Sequence, residues 1–452
     1  MEKMWYAVCM KRRGKKQGLQ LKEGKRKRGG KRGFGVAGTF FVTLFIMLSL
    51  GIAGILLLKL IGQEGEENKA FAEGLYAQET IHFIPESISE RLDEKDLTGT
   101  KTKPEPTPTP RYLEELSDAD YMKANNIFPW EASDGDKVTI GFVGDILMDD
   151  EYAIMANLLN RGRTIENGIS QAMLEQMRGV DILVANNEFP FTDRGTPTEG
   201  KTFTFRADTG AVSYLHDMGV DVAVLANNHI YDFGETGLLD TLDTLTSAGI
   251  PLVGAGRNLE EASAPLYFIV NDMKIAIVAA TQIERLDNPD TKGATENSAG
   301  VFRCLNPEKL YEVVGKAKEN SDFVIVYIHW GTENQTEIDW LQTDQAPRIA
   351  EAGADLIIGD HPHCLQGITY FDDTPVIYSM GNFWFNSRTV DTGMVQVTIG
   401  KEGLETFQFV PGLQSDCRVD LVQGEEKERI LALMRELSPD VSIDENGFVS
   451  KK

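Results

Sequence analysis

Residues 354–363, ADLIIGDHPH, put a buried strand and two metal-binding side chains into one stretch. ADLIIGD is a short apolar run closed by Gly-Asp, the pattern of a strand covered on both faces. His361 and His363 follow, two residues apart, so their imidazoles can address neighbouring metal ions. Four further apolar runs end in the same manner. KVTIGFVG (137–144) leads into Asp145, VDILVANN (180–187) into Glu188, VDVAVLAN (220–227) into Asn228-His229, and FVIVYI (323–328) into His329. In α/β sheets, ligands bind in the crevice at the carboxyl ends of the strands. Imidazole, carboxylate and amide oxygen gathered at five such ends, with no thiolate among them, point to a centre for one or two divalent ions of the Mn, Fe or Zn kind.

Helical stretches separate these runs: YAIMANLLNRG, AVSYLHDMG, LLDTLDTLTSAG and PEKLYEVVGKAKEN. Buried strands alternating with helices predict an α/β fold. PLYFIVNDMKIAIVAA predicts instead two strands joined by a hairpin at Asn271-Asp272. PVIYSMGNFWF, GMVQVTIG and LETFQFV add β character late in the chain, so the sheets are mixed. GEEKERILALMREL predicts a last amphipathic helix, and there are no internal repeats.

The formal charge of −24 hides a division. Residues 1–32 hold 13 Lys and Arg against 2 acids, whereas the other 420 residues hold 32 against 67. An acidic bulk lacks the phosphate-neutralising cations that nucleic-acid binding requires. Residues 33–58 carry no charge at all, and 26 residues suffice to cross a bilayer with some tilt. A cleaved signal peptide is the alternative, but its apolar region is typically only about 7–15 residues long. The basic block upstream sets the N-terminus in the cytoplasm and the rest outside. The expected organisation is a basic cytoplasmic segment (1–32), a single-pass signal anchor (33–61), an extracytoplasmic stalk with a proline-alternating linker (62–136), a catalytic-type domain (137–415), and a C-terminal helix and tail (416–452). The three cysteines beyond the anchor, Cys304, Cys364 and Cys417, do not form a disulfide framework.

Taken singly, most of these motifs have an ordinary reading. Gly144-Asp145 is a common turn pair, and Asn187-Glu188 is equally unremarkable. Asn227-Asn228-His229 with Asp232 reads either as a capped loop before the helix near 235, or as an amide ligand beside an imidazole that transfers a proton. A lone His329 ending an apolar strand can be a core histidine. His216 lies in a helix-like stretch and His82 in the stalk, and neither is placed in the site. Tyr378-Ser379-Met380-Gly381-Asn382-Phe383 reads as a structural turn near it.

Taken together and in order, GFVGDILM, NNEFPFT, LANNHIYDFG, VGAGRN, HWGTE, GDHPHCLQG and YSMGNF resemble the CapA family of capsule and poly-γ-glutamate synthesis proteins. The resemblance spans about residues 138–385. It implies the calcineurin-like metallophosphoesterase fold, a layered α/β/β/α sandwich of two mixed sheets, here preceded by one transmembrane helix. It also implies roles: Asp145 and His363 hold a first metal, Asn228, His329 and His361 a second, and Glu188 bridges them. His229 stands near the leaving group as general acid, and Asp232 and Glu333 orient imidazoles from behind. Two ions so placed activate a water that attacks phosphorus in line. Phosphoesterases of this fold carry a His two residues after the first Asp, where this chain has Leu147. The second-motif Asp is represented by Glu188, and Asp360 stands where many members have another His.

The expected function is that of an anchored, extracytoplasmic, phosphoesterase-like hydrolase of capsule or poly-γ-glutamate biosynthesis. Its expected partners are the lipid bilayer, polymer-synthase membrane subunits, and an envelope polymer or phosphoester substrate, with no nucleic acid. The alternative is a non-catalytic scaffold, export or anchoring subunit of the synthesis complex. The chain has no ATP-grasp or Walker phosphate loop, so it is not expected to drive ATP-dependent ligation itself.

Overall fold

The computed structural model describes residues 110–283 and 292–452. Two mixed sheets carry the fold. The first runs, edge to edge, through Arg418–Leu421, Gly403–Ser415, Val390–Gly400, Val138–Ile146, Ile182–Asn187, Val222–Val224 and Leu252–Val253, with Asn382–Trp384 also paired to Val138–Ile146. The second runs through Ile127–Pro129, Leu266–Val270, Met273–Thr281, Phe323–His329, Leu356–Asp360, Thr374–Ile377 and Ile368–Phe371. In each sheet the strands that end in candidate ligands are parallel neighbours, so their carboxyl ends lie side by side.

Strand alternation assigns the two faces of each sheet. Ile140, Phe142, Ile182 and Val184 of the first sheet and Phe323, Ile325 and Tyr327 of the second share one core between the sheets. Their neighbours point outward: Leu183 and Ala185 pack with helices Ala153–Arg161, Gln171–Met177, Ser213–Met218 and Gly234–Ser247. Val324, Val326 and Ile328 pack with helices Glu308–Glu319 and Trp340–Glu351. The layers are therefore helix, sheet, sheet, helix. Every residue of Ile182–Asn187, Val222–Val224, Phe323–His329 and Leu356–Asp360 is buried, which is why these strands read as unbroken apolar runs.

The expected hairpin forms, with Leu266–Val270 antiparallel to Met273–Thr281. Asn271 and Asp272 turn it at φ 53° and 61°, both in the left-handed region that a two-residue turn of this kind requires. The last helix is Gly424–Leu437, its apolar stripe of Ile430, Leu431 and Met434 buried against the inter-sheet core.

The secondary structure extends past both expected ends of the domain. Ile127–Pro129, assigned from sequence to the stalk, is a parallel edge strand on Leu266–Val270. Trp130 beside it packs edge-on to Phe268 at 5.2 Å and donates its indole N–H to the Asp181 carbonyl at 2.8 Å. Three residues ending in Pro carry no alternation to read, and Pro is tolerated because the strand lies at a sheet edge. At the other end, Arg418–Leu421 continues the first sheet, and the hairpin of Val441–Ile443 and Val449–Lys451 buries Val441, Ile443 and Val449 in the inter-sheet core. Cys364 and Cys417 are free thiols. Among the described residues no helix is long and apolar enough to cross a membrane. The expected anchor at 33–61 and the stalk up to residue 109 lie outside them.

Candidate metal centre

The carboxyl ends of Val138–Ile146, Ile182–Asn187, Phe323–His329 and Leu356–Asp360 converge between the sheets and bring together side chains that are remote in sequence. Two groups of donors have their ligand atoms within 4.8 Å of one another: Asp145, Glu188 and His363 form one, and Glu188, His329 and His361 the other. Glu188 belongs to both. Its backbone N–H donates to the Ile146 carbonyl at 3.2 Å, which ties the end of one strand to the next.

Around the second group, His329 Nε2 lies 2.9 Å from Asn228 Oδ1 and 3.0 Å from His361 Nδ1. Around the first, His363 Nδ1 lies 3.0 Å from Asp145 Oδ2 and 2.9 Å from Asn382 Oδ1. His229 turns Nδ1 to Asp232 Oδ2 at 2.7 Å, which leaves Nε2 3.9 Å from Glu188 Oε1. The rings of Phe205 and Phe385 close one side, Phe205 lying 4.3 Å from the His229 ring and Phe385 4.9 Å from His363.

Backbone geometry aims these groups. His361 has φ 100° and His363 φ 58°, in the region that favours glycine. Strain of this kind persists where the surroundings over-determine it, and it clusters at functional sites. Gly144 lets the adjacent turn approach: an added Cβ there would lie 2.0 Å from the Gly381 carbonyl oxygen, the same oxygen that accepts the Asp145 N–H at 3.0 Å.

The donor set fits divalent metal on two counts. Both carboxylate oxygens of Glu188 are buried without a hydrogen-bond partner, an arrangement that costs several kcal/mol, about 1–3 or more per group, unless a cation compensates it. Burial, then the Asp145 and Asp360 charges, push the Glu188 carboxyl well above its ordinary range, and burial and Asp145 do the same to Asp360. Burial and neighbouring imidazoles hold His329 and His361 well below the usual histidine range, in the neutral form that ligates metals. His363 goes the other way: burial opposes its charge, but the hydrogen bond and charge of Asp145 outweigh it.

The model of the family described as "Bacterial capsule synthesis protein PGA_cap" matches residues 139–387, more than half of the chain and all of these strand ends. The chain belongs to the PGA_cap family. It is similar to the PGA biosynthesis protein CapA of Bacillus subtilis (strain 168), 32% identical over 291 residues that cover 61% of this chain and 71% of the relative. The capsule biosynthesis protein CapA of Bacillus anthracis is 28% identical over 334 residues, covering 71% and 78%. Among solved structures, the sulfate thiohydrolase SoxB of Thermus thermophilus aligns at 14% identity and a TM-score of 0.32, covering 69% of this chain and 60% of that one.

Eight of the nine residues expected in the site of this PGA_cap protein meet there: Asp145, Glu188, Asn228, His229, Asp232, His329, His361 and His363. Glu333 does not. It is exposed and makes no hydrogen bond to an imidazole, but its charge raises the pKa of His363 and of Glu188. His216 is exposed on its helix.

Several residues of the centre were not singled out from the sequence. Asn186 donates to Asp145 Oδ1 at 2.7 Å, and Asn227 donates to Asn186 Oδ1 at 3.0 Å. Tyr327 donates its hydroxyl to Asp360 Oδ2. Asn382, read as part of a structural turn, faces His363. Lys201 bonds Asp232 Oδ1 at 2.6 Å. Period-2 alternation held a partial signal for the strand residues Asn186 and Tyr327, whereas a loop lysine carries none. Leu147 is buried in the outer core of the first sheet.

Proposed function

We propose that this PGA_cap protein is a metal-dependent hydrolase of capsule or poly-γ-glutamate biosynthesis, anchored in the membrane by residues 33–61 with its main domain outside. The observation that carries the reading is Glu188: a carboxylate shared by two ligand groups, buried, and lacking any hydrogen-bond partner. Asp145, Glu188 and His363 would hold one divalent ion, and Glu188, Asn228, His329 and His361 another. Metal at such a site supplies water activation and charge stabilisation to the entering and departing oxygens of a phosphoester. The protein's own groups do the rest. His229 moves a proton at Nε2 while Asp232 holds Nδ1, and Phe205 and Phe385 limit the water that reaches the reacting atoms. Asn186 and Asn382 keep Asp145 and His363 oriented. The relatives named for capsule and PGA biosynthesis support an envelope polymer or its phosphorylated precursor as substrate, and polymer-synthase membrane subunits as partners.

Metal analysis of the purified protein tests this, comparing wild type with His361→Ala/His363→Ala. Phosphodiester and phosphomonoester turnover are followed with added Mn²⁺. Stoichiometric metal that the double variant loses, with metal-dependent turnover, is the expected result. A folded wild-type protein that binds no divalent metal would sink it. Protease shaving of intact cells tests the topology: an undigested domain would place it inside.

One observation favours the non-catalytic alternative. Leu147, buried among apolar side chains, removes a ligand from the first group. On that reading the second group alone holds a structural ion and the domain serves as scaffold, and metal would be retained without turnover on either ester.

A further inference from the structure

We propose that Lys201 is the positioning residue for His229, holding Asp232 so that the imidazole keeps its proton on Nδ1 and presents Nε2 to the centre. Lys201 sits in the loop between the Ile182–Asn187 strand and the helix Ser213–Met218, a segment whose neighbours Thr202 and Phe203 are exposed. Its own ammonium is not. The Lys201 side chain is 5% exposed and that of Asp232 fully buried, with Nζ 2.6 Å from Asp232 Oδ1. A second Nζ–H donates to the Asn228 carbonyl.

Asp232 has its acceptor sites occupied by this one loop and by His229. Oδ1 takes Lys201, and Oδ2 takes the Phe205 backbone N–H at 2.7 Å and His229 Nδ1 at 2.7 Å. The Asp232 main-chain carbonyl accepts the Thr198 N–H at 2.8 Å. Residues 198–205 therefore clasp Asp232 at three points, and the Phe205 ring lies over the imidazole that Asp232 orients.

The donor inventory gives the consequence. Lysine has donors and no acceptor, so the oxygen it meets must accept. A carboxylate held as acceptor on both oxygens can face Nδ1 only if Nδ1 carries the proton, and a ring nitrogen's partner decides which tautomer is present. Without the lysine, Asp232 is a buried acid with no cation beside it. Both its rotamer and its role as acceptor toward His229 are then free to change.

The inference rests on the role proposed for His229, but its test needs no turnover. The full-length chain in detergent is labelled with ¹⁵N in its six histidines and loaded with zinc as sole divalent metal. Magic-angle-spinning NMR then reads each ring, and His229→Gln assigns the His229 pair by its disappearance. The expected wild-type pattern is a protonated Nδ1 and a bare Nε2. Lys201→Met should turn it into an averaged or Nε2-protonated pattern with metal content unchanged, and Lys201→Arg should restore it. Where any ester is turned over, Lys201→Met should slow it by at least about tenfold, on the scale of losing a positioned proton-transfer group. Lys201→Gln undergoes the same measurement if the Met variant does not fold. A wild-type His229 protonated on Nε2, or a neutral-residue variant that keeps both metal and the wild-type pair, overturns the proposal. Loss of metal along with the pair also overturns it, because Lys201 would then be scaffolding for the whole site. Absence of turnover in wild type would count against the hydrolase and leave the tautomer result standing.

Discussion

His329 Nε2 and His361 Nδ1 face each other 3.0 Å apart, both rings buried, with Asn228 Oδ1 2.9 Å from the former. Two ring nitrogens this close hold at most one proton between them comfortably, and burial disfavours adding a second. A cation held by both nitrogens would resolve the conflict, and Glu188 Oε1, without a hydrogen-bond partner, lies 3.6 Å from His329 Nε2.

Metal and Glu188 should therefore be linked in stability. Adding a divalent ion at about 100 times its dissociation constant should stabilise the wild-type fold by about 2.7 kcal/mol. Glu188→Gln should abolish most of that increment while raising the stability of the metal-free protein, because it removes a buried carboxylate that has no hydrogen-bond partner. Calorimetry with and without chelator measures both. A Gln variant that is less stable than wild type in chelator would show that the carboxylate is satisfied in some other way.

The backbone of His361 makes a second, separable claim. At φ 100° a side chain costs on the order of 1–3 kcal/mol, and glycine does not incur this cost. His361→Gly and His361→Ala should both lose metal, yet in chelator the Gly variant should melt above the Ala variant, a gap of roughly 1 kcal/mol or more. Equal melting temperatures would mean the loop relaxes freely and that the ligand geometry is not built into the backbone.

Much of this centre was legible because buried parallel strands write themselves as apolar runs, and the residue after each run lies by construction at the sheet's carboxyl edge. That logic reaches Asp145, Glu188, Asn228, His329, His361 and His363. It does not reach Lys201 or Phe205, which lie in a loop of ordinary polar composition and enter the site only through its path around Asp232. Glu333, just beyond Gly331, is exposed and reaches the centre through its charge on His363 and Glu188. Both ends of the domain carry strands that are silent in the sequence for a related reason. Ile127–Pro129 and Val441–Ile443 are too short to show alternation, so only the partners they bury against reveal them.

Away from the metal, Asp221 should set a pH dependence of stability. Burial pushes its carboxyl up to about 6, although the Leu183 N–H donates to Oδ2 at 2.8 Å and works against the shift. A carboxyl with a raised folded value contributes most below its unfolded value, near 3.9, and that contribution is lost as pH rises through about 6. At neutral pH the folded state carries a poorly solvated charge. Asp221→Asn keeps an acceptor for Leu183 and should stabilise the protein by about 1–3 kcal/mol at pH 7.5, with little or no gain near pH 4. Denaturant titrations at the two pH values check it, and an equal effect at both would remove the charge from the explanation.

The C-terminal hairpin should prove inseparable from the domain. Val441, Ile443 and Val449 are 2%, 6% and 8% exposed. Ser438 Oγ accepts the Ile368 N–H at 2.8 Å at the edge of the second sheet, and Arg435 donates Nε to the Ile443 carbonyl at 2.8 Å. Ending the chain after Leu437 removes three buried apolar side chains worth roughly 1.5–3 kcal/mol each, uncovers the core they pack against and leaves a sheet-edge N–H without its partner. That loss is comparable to the whole stability of an ordinary domain, about 5–15 kcal/mol. The shortened protein should be recovered as aggregate, or should melt more than about 10 °C lower, the loss scaled by roughly 2–4 °C per kcal/mol. Ser438→Ala alone should cost only about 1–2 kcal/mol, for one hydrogen bond. A truncated protein that is soluble and melts within a few degrees of wild type would show that residues 438–452 are dispensable.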